Sequence, residues 1–133
     1  MTFVPTVGLV MIASTKWDGG VSSLWVMRPS EETWQSITLS TPWTTGNTPS
    51  LFWDDGACRL ILWAGECTAG AYSLDLIGQP GRVTPLQVPF SQVDPRVFMN
   101  ATLDTNRRRV VVHGGYDCGV NSFLDTVDVF TFK

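Results

Sequence analysis

The chain has 133 residues, of which 44% are hydrophobic and only 16% are charged, and its net charge is −3. A chain of this length can bury a core of its own, and this composition is typical of a packed protein. The small negative charge and the scattered arginines argue against nucleic acid as the main partner, since such proteins carry a clustered basic surface.

The sequence repeats itself at a period of fifty residues. Short apolar runs at 9–14, 59–64 and 109–114 lie one period apart, and each is followed by a loop and a second apolar run. A period of this size is typical of propellers and other arrays, because each unit buries its apolar faces against its neighbours. The chain holds about two and two-thirds units, whereas closed propellers have roughly four to eight blades.

The predicted elements are all strands, taken in chain order within each unit. The first unit has a stub at 1–3 and strands at 9–14, 23–27 and 33–39; the second has strands at 51–54, 60–63, 72–77 and 82–88; the third has strands at 101–104, 110–113 and 126–132. No stretch has the 3.6-residue periodicity of a sizeable helix. The runs at 60–63 and 110–113 lack polar alternation, which indicates strands packed on both faces.

Turn residues separate these strands. Asp54 and Asp104 end equivalent strands, and two residues later come Gly56 and Asn106, types that tolerate positive φ in a tight hairpin. The doublet Gly114-Gly115 follows the next strand of the third unit and permits a sharp bend or a close backbone approach.

These motifs resemble kelch repeats, in which a strand ends in a double glycine and an aromatic residue follows a later hairpin. Gly114-Gly115 supplies the doublet, and the segment 23–34 resembles the kelch stretch that ends in Trp34. The second unit has Ala64-Gly65 in place of the doublet and Thr84 where the tryptophan would recur. The resemblance implies an all-β fold of kelch-like β-propeller blades, each an antiparallel four-stranded sheet, in an incomplete propeller. The whole chain, 1–133, is one domain with units at about 1–47, 48–97 and 98–133.

The resemblance also implies where a partner binds, because one face of a kelch propeller is built from its loops. Trp17, Trp43 and Tyr116 would be aromatic anchors there, and the acidic loop residues would suit a basic protein partner. A second interpretation has Trp17 and Trp43 packing back onto neighbouring blades, while Trp25, Trp34, Trp53 and Trp63 are expected in the core. The predicted partner-binding residues are Lys16, Trp17, Asp18, Trp43, Glu66, Asp94, Arg96, Tyr116 and Asp117.

Catalytic chemistry is not predicted, and neither is a metal site or a cofactor. The lone histidine, His113, lies in a strand expected to be buried, and galactose oxidase, a kelch-type copper enzyme, needs two histidines. No signal peptide or membrane span is evident, so a cytoplasmic protein with reduced thiols is expected. A Cys67–Cys118 bridge is the alternative, and it would need a close approach of two blades.

The ends of the chain leave sheet edges and blade faces open, which is an aggregation hazard unless something covers them. Head-to-tail association of identical chains would cover them, and a dimer would give about six blades. The sequence therefore favours a non-catalytic protein-interaction scaffold that self-associates. The alternatives are a small-ligand or carbohydrate-related kelch enzyme or binder, and a fragment or subunit of a larger propeller assembly.

Overall fold

The computed structural model describes residues 1–14, 22–39, 50–64, 70–79, 81–86 and 96–131. These residues form strands and turns, with a single 3-10 turn at Asp55–Ala57 and no α-helix among them. The strands are β1 (Thr2–Val4), β2 (Gly8–Ser14), β3 (Ser22–Met27), β4 (Trp34–Ile37), β5 (Ser50–Asp54), β6 (Arg59–Ala64), β7 (Gly70–Leu74), β8 (Val83–Pro85), β9 (Arg96–Val97), β10 (Asn100–Asp104), β11 (Arg109–His113), β12 (Tyr116–Asp117), β13 (Ser122–Phe123) and β14 (Val127–Thr131).

The described strands form three main antiparallel sheets, one for each predicted unit. The first sheet has the order β1-β2-β3-β4, the second β5-β6-β7-β8, and the third β10-β11-β14. The first two sheets are meanders in which consecutive strands pair, as short connections favour, whereas β11 of the third pairs with β14 and the chain between them forms β12 and β13. The strand order predicted for the first two units and for the described part of the third is therefore confirmed. A fourth, small sheet with the order β13-β12-β9 was not predicted.

The three main sheets stack face to face, and the second is covered on both sides. Leu60 and Leu62 of β6 belong to a core shared with the first sheet, whereas Ile61 and Trp63 belong to a core shared with the third. All four side chains are buried. The absence of polar alternation in this strand thus has the predicted cause, since both faces of the strand are buried.

Each core fills the space between two neighbouring sheets. Val10, Leu24 and Val26 of the first sheet meet Leu51 and the two β6 leucines of the second. Between the second and third sheets, the rings of Trp63 and Phe130 lie with centroids 4.9 Å apart and tilted by 32°. The first strands of the units also adjoin, because β1 contacts β5 and β5 contacts β10. The described residues form an open stack of sheets and no closed ring.

The turn between the first two strands of a unit decides which side chains enter which core. Four residues connect β5 to β6 and β10 to β11, but only three connect β1 to β2. Consequently Leu9, which pairs with Phe3, is equivalent to Leu60, which pairs with Trp53. Between the first and second units, equivalent residues are therefore fifty positions apart in the first strand of the unit and fifty-one positions apart in the second strand. A fixed period would equate Val10 with Leu60 and would place Val10 on the opposite face of its sheet.

The positive φ angle of the hairpins falls later than the sequence indicated. Gly56 and Asn106 do not have a positive φ; Cys58 and Arg108 do, at 47° and 49°. Cys58 and Arg108 each immediately precede the second strand of their hairpin. Cys58 also caps the 3-10 turn at its C-terminal end in the left-handed conformation. The predicted hairpin is correct, whereas the residue that supplies its left-handed conformation is not a glycine or an asparagine.

β7 ends at Leu74, earlier than the predicted 77, because the next side chain binds the backbone. The Asp75 carboxylate accepts hydrogen bonds from the N–H groups of Ile77, Gly78 and Gln79 at 2.8–2.9 Å. These bonds fold the chain into a turn. They also hold the pKa of Asp75 below its ordinary value, with the positive charge of Arg82 adding to the effect and desolvation opposing it.

Candidate functional site

The outer face of the first sheet presents six apolar side chains in two neighbouring rows. One row of paired residues crosses all four strands from Phe3 to Trp34, and a second row holds Met11 and Trp25. Phe3 is 53% exposed and Trp34 37%, and the others are half-buried. We call this surface the head face, and its members are Phe3, Leu9, Met11, Trp25, Met27 and Trp34. An open apolar surface of this kind marks an interaction site.

The outer face of the third sheet lies at the opposite end of the stack. Val127 and Val129 of β14 are 59% and 48% exposed on it, and their paired neighbours on β11 are His113 and Val111. We call this surface the tail face, and its members are Thr102, Val111, His113, Val127 and Val129. It is more polar than the head face, since it includes Thr102 and His113, but valine and threonine suit a sheet surface that packs against another sheet.

A row of charged side chains, which we call a charged rung, connects the hairpins of the second and third units. Asp54 is buried, and its Oδ2 accepts hydrogen bonds from Arg59 Nε and from Arg108 Nη2, both at 3.1 Å. Arg59 comes from the same hairpin, and Arg108 comes from the hairpin of the next unit. Arg108, the middle residue of the arginine run at 107–109, therefore joins two units.

The equivalent carboxylate of the third unit is Asp104. It accepts hydrogen bonds from Arg109 Nε at 2.9 Å and from Arg107 Nη1 at 3.2 Å. Desolvation raises the pKa of Asp104, but the hydrogen bonds from these two arginines outweigh it and leave the pKa below its ordinary value. Asp104, Arg107 and Arg109 all belong to the hairpin of the third unit, so this cluster joins no second unit.

The double glycine lies beside a buried arginine of β9. Gly114 and Gly115 both have positive φ, at 64° and 105°, and a Cβ on Gly115 would lie 2.8 Å from the carbonyl oxygen of Val97. The predicted close backbone approach is confirmed. Arg96 is buried beside them; it donates to the Gly114 carbonyl at 3.2 Å and forms an ion pair with Asp128.

The loop after the double glycine is an ordered hairpin formed by β12 and β13. Tyr116 packs edge-on against Phe123 with centroids 5.3 Å apart, and its hydroxyl donates to Asn121 Oδ1 at 3.4 Å. The buried Asp117 carboxylate accepts from the backbone N–H groups of Gly119 and Val120 at 2.6 and 3.2 Å. Phe123 is 82% exposed. The hairpin thus presents apolar side chains outward, while its acidic residue shapes the turn.

The structure describes three of the nine predicted partner-binding residues. Tyr116 is half-buried in the hairpin, while Arg96 and Asp117 are buried and bonded within the chain, which counts against contact with a partner. Their burial could not be read from the sequence, because it depends on strand pairing of only two residues. The residues outside the described part of the chain are Lys16, Trp17, Asp18, Trp43, Glu66 and Asp94.

The predicted burial of the four strand tryptophans and of His113 is confirmed only in part. Trp63 is buried as expected, whereas Trp25 and Trp53 are half-buried and Trp34 is exposed. His113 is exposed, although it occupies the position equivalent to Trp63. The reason is the same for Trp34 and His113: each lies on a terminal sheet face that no neighbouring sheet covers in the described part of the chain.

Cys118 differs from the expected reduced state. Cys118 is disulfide-bonded, and Cys58 is free and exposed. Cys67, which the sequence offers as the partner of Cys118, lies outside the described residues. A disulfide is rare in a reducing compartment, so this bond does not support the expected cytoplasmic location.

A cleft of about 390 Å³ lies where the first and second units meet. Its polar lining comes from the first unit, and the second unit contributes Leu76 and Ile77. Arg28 and Gln35 already donate to the Glu31 carboxylate, each at 3.0 Å. The polar groups of the cleft therefore bind one another and do not converge from several units.

The described residues contain no group of three potential metal ligands, and none of their elements is a helix long and apolar enough to cross a membrane. Comparison of the chain with protein-family models, with curated proteins and with solved structures finds no match in any of the three.

Proposed function

We propose that this chain is a non-catalytic protein-interaction scaffold built from kelch-like propeller blades and completed by head-to-tail association with a second copy. Two features support blades. Consecutive four-stranded meanders stack face to face, and their first strands adjoin, as they do around a propeller axis. The double glycine of the third unit adds the kelch feature, with both residues in the left-handed region.

The observation that carries the proposal is the head face. Six large apolar side chains occupy two adjacent rows of one sheet, and no charged residue interrupts those rows. A monomer that exposes such a surface is disfavoured. Each Å² of apolar surface removed from water lowers the free energy by about 25 cal/mol. Association with another sheet removes this area from water.

The partner of the assembled scaffold would meet its loops. Among the described loops, the β12–β13 hairpin presents Phe123 and Val120, both strongly exposed, and a partner with an apolar pocket fits them. The hypothesis of a basic partner now depends on Asp18, Glu66 and Asp94, since Asp117 is engaged in its own turn.

The proposal is tested by light scattering coupled to size exclusion over a range of concentrations. We expect a mass that rises from the 14.7 kDa of one chain to a small closed multiple. A dimer would bring together about six blades, within the range of closed propellers. A chain that stays monomeric at high concentration would contradict self-association, and so would an open-ended aggregate.

A small-ligand or carbohydrate binder is the second candidate, and the cleft between the first two units is the observation in its favour. Neutral monosaccharides are suitable probes, with thermal stabilisation as the measurement. Binding that is lost in Ile77→Trp, which would fill the cleft, favours this candidate. An unchanged melting temperature with every sugar favours the scaffold.

A further inference from the structure

The head face is the equivalent, in the first unit, of a surface that the other two units bury. In the first sheet, Phe3 pairs with Leu9, and the row continues to Met27 and Trp34. In the second sheet, the same row is Trp53, Leu60, Leu74 and Val83. In the third, it is Leu103, Val110 and Phe130. The strand pairing therefore fixes which positions correspond.

These corresponding rows are covered in each of the later units. The second-sheet row packs against the first sheet, and the third-sheet row packs against the second. Each unit thus uses this face to contact the unit before it. The first unit presents the same face without a neighbouring sheet over it in the described part of the chain, and Phe3 and Trp34 are exposed on it.

The tail face has the converse equivalence. In the second sheet, Phe52 pairs with Ile61 and Ser50 with Trp63, and these positions face the third sheet. The corresponding pairs of the third sheet are Thr102 with Val111 and Asn100 with His113. Each unit uses this face to contact the unit after it, and the third unit presents it to solvent.

Charge places no obstacle to bringing the two faces together. The head-face rows are uncharged, and the charged groups beside the tail face are Asp104 and its partners Arg107 and Arg109. The equivalent pair, buried Asp54 with half-buried Arg59, already lies at the junction of the second and third units. Such a pair is therefore accommodated in a contact between sheets of this type.

We infer that the head face of one copy receives the tail face of a second copy, repeating the contact that joins successive units within the chain. This inference rests on the proposed self-association and specifies its surfaces. The contact is heterologous, because two different faces meet, and it closes into a ring only when the rotation between copies permits.

The test uses two double variants of the full chain. Phe3→Lys/Trp34→Lys blocks the head face, and Val127→Lys/Val129→Lys blocks the tail face. All four side chains are exposed in the single chain, so both variants are expected to fold, as circular dichroism will check. The matched control is Ile77→Lys/Val120→Lys, because both positions are exposed but lie on neither face.

Light scattering should show that neither blocked variant self-associates, whereas the control associates like the unmodified chain. The dissociation constant should rise by about a hundredfold or more in each blocked variant, since lysine ammonium groups would be buried against apolar side chains. An equimolar mixture of the two blocked variants should form a one-to-one complex, because one intact head face and one intact tail face remain.

Three outcomes would overturn the inference. If the tail-blocked variant associates like the unmodified chain, two head faces meet each other; self-association then survives, but the assignment of faces does not. A mixture that forms no complex overturns the head-to-tail contact as well. A monomeric unmodified chain overturns both the inference and the self-association on which it rests.

Discussion

Arg108 donates a hydrogen bond from its Nη2 to Asp54 Oδ2 at 3.1 Å, across 54 positions of sequence. The bond joins the hairpins of two successive units at nearly one repeat length. Because Arg59 of the second unit binds the same oxygen, one buried carboxylate holds its own hairpin and the next one together. Stacking of the units is therefore fixed by a polar contact as well as by the apolar cores.

Removal of this carboxylate should destabilise the stack. We expect Asp54→Ala to lower the free energy of unfolding by about 3 kcal/mol, since two guanidinium groups lose a buried partner. Arg108→Ala should cost about 1 kcal/mol, because the Arg108 side chain is partly exposed. Urea denaturation followed by tryptophan fluorescence measures both. Arg107→Ala is the control, since its pair with Asp104 is exposed, and equal losses in all three variants would contradict the role assigned to Asp54.

The double glycine should tolerate substitution poorly. In Gly115→Ala, the new Cβ would lie 2.8 Å from the Val97 carbonyl oxygen, at a φ of 105°. Strain of this kind costs about 1–3 kcal/mol, and the loss should appear as a lower urea midpoint. Gly56→Ala is the matched control, because its nearest neighbour would be 3.6 Å away and its φ is not in the left-handed region. Similar stability of the two variants would show that the close approach at Gly115 is relaxed in solution.

Two aspartates should make stability depend on pH in the acid range. The pKa values of Asp75 and Asp104 are both below the ordinary 3.8 in the folded chain. A lowered folded pKa contributes stability above the unfolded value, and this contribution is lost as the pH falls through the folded one. Asp75→Asn should therefore be less stable than the unmodified chain at pH 7, and the difference should shrink as the pH falls below 3.8. Urea midpoints at pH 7, 4 and 2.5 test this, and a gap that is constant or widens toward low pH would contradict it.

The disulfide at Cys118 has a simple chemical test. The sequence contains three cysteines, and an intramolecular disulfide takes up two of them. Thiol titration of the denatured, unreduced chain should therefore find one thiol, and the exposed Cys58 should react before denaturation. Cys118→Ser should lower stability by about 2–4 kcal/mol when both proteins are oxidised. Three thiols in the protein as purified would restore the reduced state that the sequence favoured.

The sequence by itself indicated the all-β class and the strand order of the three main sheets, but not the small sheet of β9, β12 and β13. Repetition is visible in the residues, and the continuous apolar run at 60–63 correctly indicates a strand covered on both faces, whereas the same prediction is wrong for 110–113, where His113 is exposed. Asp54 and Asp104 mark the hairpin ends, and Gly114-Gly115 marks a close backbone approach. These features are local, because each depends on the type and spacing of neighbouring residues.

Only the tertiary structure decided which face of each sheet meets which neighbour. A turn shorter by one residue before Gly8 shifts the register of β2, and a shift of one reverses the faces of a strand. This shift places Val10 in the core and leaves Leu9 and Met11 on the head face. The burial of Arg96 and Asp117 likewise depends on two-residue strands that bring distant segments together. Long-range pairing of this kind has no periodic signal in the chain. Side chains that the sequence places on partner-binding loops can therefore lie buried and bonded inside the fold.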